Sequence, residues 1–365
     1  MFRVLHTEAS VGWGGQEIRI LGEMLGMKQR GHMVALAAPG HARIYKRASE
    51  AGIKVFGVDF DRENLLITGH KLRKLIQSER IQILNTHSSR DSWAGGLAGR
   101  IARIKVVRTR HISSRLRPNP FTRLVYGHLN DGIVTTGNFI KEQLVRELGI
   151  SPDRIYSIPT GIDVGMFADA DGGRVRREFG IAADEPVIGI AAALRSWKGH
   201  LHILRAMPEV LRRFPKARLL IAGEGDLRKG ITELAAELEL RDSVILAGHR
   251  EDMPEIIAAF DVSVMASYAS EGIPQFALQS MAAGKPVAGT QTGGIPEVIR
   301  DGVNGCIVPP KNPEALAGAI LKLLSDPEKA REMGLQGRRM ALLGHTRERM
   351  LDDTEALYRK VLGCE

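Results

Sequence analysis

The chain has 365 residues, of which 44% are apolar and 25% charged, with a net charge of +9 and only two cysteines, Cys306 and Cys364. That length exceeds what one hydrophobic core usually organises, so two domains are expected, with a composition ordinary for a soluble globular protein. Two distant cysteines without metal-ligand spacing argue against a disulfide framework or a structural zinc and predict a reducing, cytoplasmic compartment. No run approaches the roughly 20 apolar residues of a membrane span, and the opening MFRVLHTEASVGWGGQE has no apolar signal core.

The first half alternates between two periodicities. Phe2 to Thr7 reads as a strand, Gln16 to Arg30 as a helix closed by Gly31, and His32 to Ala38 as the next strand. A helical stretch to Ala51, a strand from Lys54 to Asp59, a helix from Leu65 to Arg80 and a strand from Ile81 to Thr86 follow. Asp91 to Arg103 carries Trp93, Leu97, Ile101 and Ile104 at helical spacing. Lys105 to His111 reads as a further strand, and Asn119 and Pro120 as a cap and first helical residue before Phe121 to Asn130. Repeated β-α units imply a parallel sheet flanked by helices.

Charge is distributed unevenly. Residues 1–165 carry +11 and residues 166–365 carry −2. Between Asp91 and Asp131 stand Arg100, Arg103, Lys105, Arg108, Arg110, Arg115, Arg117 and Arg123 with no acid among them. Such a face suits anionic lipid headgroups or a phosphorylated acceptor. Nucleic acid is not expected, because no zinc-finger spacing, RNP-like aromatic run or long basic helix accompanies the charge. Three features of this half are candidates for ligand contact. Gly12 to Glu17 (GWGGQE) brings Gly14 and Gly15 to a strand-helix turn, where backbone N–H groups are open to a ligand, without the GxGxxG spacing of a dinucleotide site. His87 stands at a strand's carboxyl end, and Arg110 and His111 at the end of another, where they could reach an acceptor or a phosphate.

A turn-rich boundary spans Ser157 to Phe167. Pro186 to Leu194 then reads as a strand leading into Arg195-Ser196-Trp197-Lys198-Gly199, where two cations at a strand end suit a diphosphate, the arginine as a fork and the lysine as a point charge. Ala217 to Glu224 and Ser243 to Arg250 read as strands, the first ending in a tight turn at Gly223. Asp261 to Ala266 is an apolar strand, Pro274 suits the first position of a helix through Phe276 and Met281, and Gly284 with Pro286 stops it before a strand to Thr290. The N–H groups of Gln275 and Phe276 would face an anion at that helix's positive end, with Glu271 and Gly272 at the loop's mouth and a second turn, Gly293-Gly294, beside it. Asn304 to Pro309 is the last strand, with helices from Pro313 onward.

The run EGIPQFALQSMAAGKPVAGTQTGGIPE, residues 271–297, resembles the donor-site signature of the family 4 glycosyltransferases, retaining enzymes of the GT-B fold that use nucleotide sugars. The family pattern is Glu, seven residues, Glu; here it reads Glu271 and Gln279, so the second carboxylate is replaced by a carboxamide that hydrogen-bonds hydroxyls without charge. The resemblance implies that Glu271 contacts the donor sugar, Gln279 the ribose, and Lys198 the diphosphate. The family's arginine five residues before that lysine is Ala193 here, with Arg195 as the nearby substitute. It further implies that Gly223 lies under the nucleotide, that the base packs near Arg250 and Met253, that Gly14 and Gly15 face the donor phosphates, and that His87 lies near the sugar.

The expected fold is α/β, GT-B: two Rossmann-like domains with an interdomain cleft. Residues 1–165 form the acceptor-binding domain, 166–344 the nucleotide-sugar domain, and 345–365 a helix crossing back to the first. The expected reaction is metal-independent transfer of a hexose-type sugar from a nucleotide diphosphate sugar, as co-substrate with no other cofactor, to a hydroxyl of a glycan or glycolipid acceptor. Glu271, His87 and Lys198 are the catalytic candidates, and Arg110 and His111 the acceptor contacts. The setting is synthesis of a cell-surface glycan, lipopolysaccharide or similar, at the inner membrane face. A sugar-nucleotide epimerase or phosphorylase of the same fold, or a non-catalytic binder of anionic glycan, stays open at this point.

Overall fold

In a sheet buried on both faces, apolar side chains must point alternately to either side, and the strands of the first half do so. The computed structural model describes residues 1–61, 64–269 and 271–364. It divides into two units, one of Met1–Gly161 with Arg347–Glu365 and one of Ile162–Thr346. The first unit holds β1 (Arg3–Thr7), β2 (Met33–Ala38), β3 (Lys54–Gly57), β4 (Ile83–Thr86), β5 (Lys105–Arg110), β6 (Gly132–Thr135) and β7 (Ile155–Ser157), all parallel, in the order β3-β2-β1-β4-β5-β6-β7. Val4, Leu36, Ile83 and Val107 pack on one face, while Leu5, Ala37, Leu84 and Val106 pack on the other. The second unit holds β8 (Val187–Ala191), β9 (Arg218–Ala222), β10 (Val244–Gly248), β11 (Val262–Met265), β12 (Val287–Thr290) and β13 (Gly305–Val308), again all parallel, in the order β10-β9-β8-β11-β12-β13. Both are Rossmann-like sheets, and each reverses its strand order once: between β1 and β4 in the first and between β8 and β11 in the second.

Most of the expected elements form within one or two residues of their anticipated ends. Asn119 caps its helix, its Oδ1 accepting the Thr122 N–H at 2.8 Å. Pro274 sits one position earlier than expected, at the N-cap of Gln275–Ala282. The short strands β6 and β7 were not anticipated. The helix Ser89–Ala102 buries a different face from the one its large residues suggested: Ile101 is 55% exposed, while Ala94, Gly95, Gly96, Ala98 and Gly99 face inward. A Cβ on Gly99 would stand 2.3 Å from Val106, so small residues are what bring this helix onto the sheet.

The helix Arg347–Leu362 completes the first unit's core. Met350, Leu351, Leu357 and Tyr358 join the cluster built on Val4 and Leu36. The buried Tyr358 hydroxyl accepts from Asn85 Nδ2 at 3.0 Å and donates to Glu23 Oε1 at 3.2 Å. Replacing Tyr358 with Phe leaves two buried polar groups unpaired. The variant is expected to lose about 1–3 kcal/mol, read as a lower urea midpoint at unchanged m.

Candidate functional site

In open parallel sheets a ligand site forms at the carboxyl ends of the strands where the order reverses, because the loops there diverge and helix amino ends converge. The second unit places two of the expected residues at that point. Lys198, following β8, sets Nζ 2.6 Å from Oε1 of Glu271, which follows β11. Ser267 Oγ donates to the same oxygen at 2.6 Å. Glu271 is buried and Lys198 half-buried, and Glu271 Oε2 has no partner among the described residues. The loops are pinned: the Tyr268 N–H donates to the Trp197 carbonyl at 2.9 Å. Gly199 has φ +78°, and a Cβ there would lie 2.0 Å from the Ala266 carbonyl oxygen; Gly293 has φ +53° and would meet the Glu271 carbonyl at 2.2 Å. Only glycine fits either position.

Around this pair stand the remaining expected donor contacts. Gly272 is buried beside Glu271. No side chain caps the helix Gln275–Ala282, so the N–H groups of Gln275 and Phe276 are available at its positive end. Gln275 and Gln279 are half-buried and one turn apart on the same helix face, whereas the Phe276 ring is buried edge-on to Phe260. Arg195 is exposed, its guanidinium 5.2 Å from the Trp197 ring centroid, with no carboxylate partner among the described residues. Gly223 ends β9 against the Ala192 carbonyl, and Met253 opens the helix Met253–Ala258. Arg250 departs from expectation. Its guanidinium is bound to Glu178 and Asp252 and lies over Phe179, which commits its donors to holding the β10 loop on the helix Gly173–Glu178.

The first unit gathers a second group at its own reversal. Gly14 precedes the helix Gly15–Gln29 and donates its N–H to Glu17 Oε2 at 2.9 Å, while the Arg47 guanidinium covers the Trp13 ring at 4.4 Å. Next to this turn lies Glu8, which no sequence motif marks. Fully buried, it accepts from the Ser10 N–H at 2.7 Å and from Gln16 Nε2 at 2.5 Å. Ser88 Oγ sits 2.9 Å from Glu8 Oε1 and 2.9 Å from Asp91 Oδ1, and accepts the Ala9 N–H. One hydroxyl proton cannot serve both carboxyls, so one carboxyl carries a proton of its own. Asp91 also accepts from Thr7 Oγ1 and from the His87 and Ser88 N–H groups, which leaves Glu8 as the protonated partner. Burial, with the Asp91 charge adding, pushes the Glu8 carboxyl up to about 8.

His87 also differs from expectation. Its Nε2 lies 2.9 Å from His6 Nδ1 and its Nδ1 lies 3.0 Å from His111 Nε2, so both ring nitrogens are taken within the protein rather than offered to a sugar. Burial holds all three imidazoles neutral: His6 is lowered to about 3, and His87 and His111 well below the ordinary value, the Arg19 charge contributing to both. Arg110 is likewise engaged, buried with its guanidinium on the Tyr126 hydroxyl (2.7 Å) and the Ser114 carbonyl. Among the described residues His111 Nδ1 has no hydrogen-bond partner.

Known proteins bear on this geometry. The model for glycosyltransferase family 4 matches residues 13–165, and that for glycosyl transferases group 1 matches residues 173–340. The chain belongs to the family 4 glycosyltransferases. A D-inositol 3-phosphate glycosyltransferase of Segniliparus rotundus is 30% identical over 268 residues, 67% of this chain; the match spans 60% of that relative's length. The structure of a glycosyltransferase from Rickettsia africae superposes with TM-score 0.91 at 22% identity, covering 100% of this chain and 99% of that one. The structure of Anabaena HepE in complex with UDP-glucose gives TM-score 0.86 at 19% identity, covering 98% and 100%. Both carry the GT-B fold found here.

Sequence reasoning missed Ser267, which lies four residues before Glu271 outside the matched motif, and Glu8, Ser88, Asp91 and His6, which are paired with groups 80 or more positions away. The two buried titratable types push stability in opposite directions. Glu8, raised above its unfolded value, contributes stability at low pH that is lost as pH rises toward about 8. His6, lowered toward about 3, costs stability as pH falls below its unfolded value near 6.5. Glu8→Gln is therefore expected to raise the thermal midpoint relative to wild type more at about pH 8.5 than at about pH 5. A pH-independent difference would show that Glu8 is not the protonated carboxyl.

Proposed function

We propose that the chain is a retaining hexosyltransferase that moves a sugar from a nucleotide diphosphate sugar to an acceptor hydroxyl. The observation that carries this reading is the Lys198–Glu271 pair at the strand reversal of the second unit, beside an uncapped helix amino end. An arriving diphosphate competes with Glu271 for the Lys198 ammonium, while the Gln275 and Phe276 N–H groups and Arg195 add positive potential. These groups stabilise the charge that develops as the sugar leaves. Glu271 stays on Ser267, and its open Oε2 accepts hydrogen bonds from sugar hydroxyls. Gln279 serves the ribose as a neutral donor and acceptor. The reading assigns no step to a resident metal, since Lys198, Arg195 and the helix amino end supply the positive charge. Structures of Anabaena HepE solved with UDP-glucose, and with UDP and glucose, support a donor of this class.

Lys198→Ala is expected to abolish the thermal stabilisation that one nucleotide among UDP, GDP, ADP, CMP and dTDP gives the wild type, and to lower kcat/KM by about 10²-fold or more. Gln279→Glu tests the ribose contact and is expected to tighten donor binding. Absence of stabilisation by any nucleotide in the wild type would overturn the reading.

The acceptor is proposed to be a glycan or glycolipid of the cell surface, lipopolysaccharide or similar, met at the inner face of the membrane. Among the described residues no helix is long and apolar enough to cross a bilayer. The first unit does expose Ile112 (45%), Phe121 (70%) and Leu124 (40%) among the exposed Arg115, Arg117 and Arg123, none of which has an acid partner among the described residues. Apolar tips interleaved with unpaired cations suit an anionic headgroup layer. Flotation with vesicles containing phosphatidylglycerol is expected to recover the protein at low salt. Binding should fall with added salt and in the triple variant Arg115→Gln, Arg117→Gln, Arg123→Gln; equal recovery on neutral vesicles would count against this placement.

A further inference from the structure

The three imidazoles of the first unit form an unbranched chain with one closed end and one open end. His6 Nδ1 meets His87 Nε2 at 2.9 Å with the rings 6° from parallel, and His87 Nδ1 meets His111 Nε2 at 3.0 Å. Each neutral imidazole has one proton, and each contact needs one proton between its two nitrogens. Only two arrangements satisfy this. Either all three rings carry their proton on Nε2, or all three carry it on Nδ1; a mixture leaves one contact with two protons or with none. Passing from one arrangement to the other requires a proton to enter at one end of the chain and another to leave at the other. Among the described residues His6 Nε2 is buried and has no partner that could give or take one. The two ends of the chain are therefore unlike, and no described group at the His6 end relays a proton. Of the two arrangements, the first strands a buried N–H at His6 Nε2 and the second only a lone pair. Orphaned buried N–H groups are the rarer of the two in proteins.

We propose that His6 is a positioning residue that holds the His6–His87–His111 chain with every proton on Nδ1, so that His111 presents its Nδ1–H as a fixed donor to an oxygen lone pair of an acceptor bound at the first unit's strand edge. This rests on the transferase reading for the identity of the ligand but not for the state of the chain. His6 donates to His87, His87 to His111, and His111 outward; no proton changes owner during turnover. The specificity that follows is for an oxygen able to accept, a ring or hydroxyl oxygen or a phosphate oxygen, over a group that can only donate.

Two measurements test it. Long-range ¹H–¹⁵N spectra of the full chain report the tautomer of each histidine. The expected result is the Nδ1–H form for His6, His87 and His111 alike, without nucleotide or acceptor present. Mixed forms, or a common Nε2–H form, would overturn the proposal whether or not the protein proves to be a transferase. In kinetics, His6→Asn keeps an amide donor near the position of Nδ1 and is expected to hold kcat/KM within about threefold. His6→Met removes the donor, frees the polarity, and is expected to cost about tenfold with His111 shifting to a mixture of tautomers. If His6→Met folds and leaves both the His111 tautomer and kcat/KM unchanged, His6 has no positioning role. If His6→Met does not fold, the wild-type spectra alone decide.

Discussion

The constraint on which this structure depends is that a parallel sheet buried on both faces has no interior room for chemistry. The apolar side chains of β1 and β8 are spent on packed faces, so polar groups, His6 and Thr7 of β1 among them, gather toward the carboxyl ends of the strands, and above all where the strand order reverses. Both units obey this. Lys198, Ser267 and Glu271 gather beyond β8 and β11, and Glu8, His87, Ser88 and Asp91 beyond β1 and β4. Glycine recurs at these edges for the same reason, since Gly199 and Gly293 let one loop rest directly on the carbonyls of the next.

The two edges solve their electrostatics differently. In the second unit the buried Glu271 carboxylate is compensated by the Lys198 ammonium and the Ser267 hydroxyl. In the first unit burial raises the Glu8 carboxyl and leaves three histidines uncharged. A protonated carboxyl and a run of neutral imidazoles give many hydrogen bonds with little net charge. The result is an edge rich in neutral donors and acceptors.

What the sequence makes legible follows from the range of the interactions involved. The β-α alternation, the Asn119 cap and the glycine stops are local, and they appear close to where periodicity and capping chemistry put them. The motif from Glu271 to Gly294 is legible because its residues lie on one loop-helix unit. The short strands β6 and β7 escape; β7, a run of three residues, holds too little pattern to be separated from loop. The inward face of Ser89–Ala102 misleads because close packing there selects the smallest residues, while Trp93, Leu97 and Ile101 catch the eye. Arg110 and Arg250 look in sequence like free cations at strand ends; only their buried or paired surroundings, Tyr126 with Ser114 and Glu178 with Asp252, show them as ties within the fold. The histidine chain joins residues 81 and 24 positions apart, a relation with no local trace.

The terminal helix Arg347–Leu362 lies in the first unit although the whole second unit intervenes in the chain. During synthesis, residues 1–161 therefore leave the ribosome with the groove that receives Leu351 and Tyr358 unfilled, and Glu23 and Asn85 without the hydroxyl that joins them. The second unit, contiguous from Ile162 to Thr346, can finish its core first. Maturation order is thus inverted relative to the direction of translation: the half made first is completed only after the second, when Arg347–Leu362 has been added.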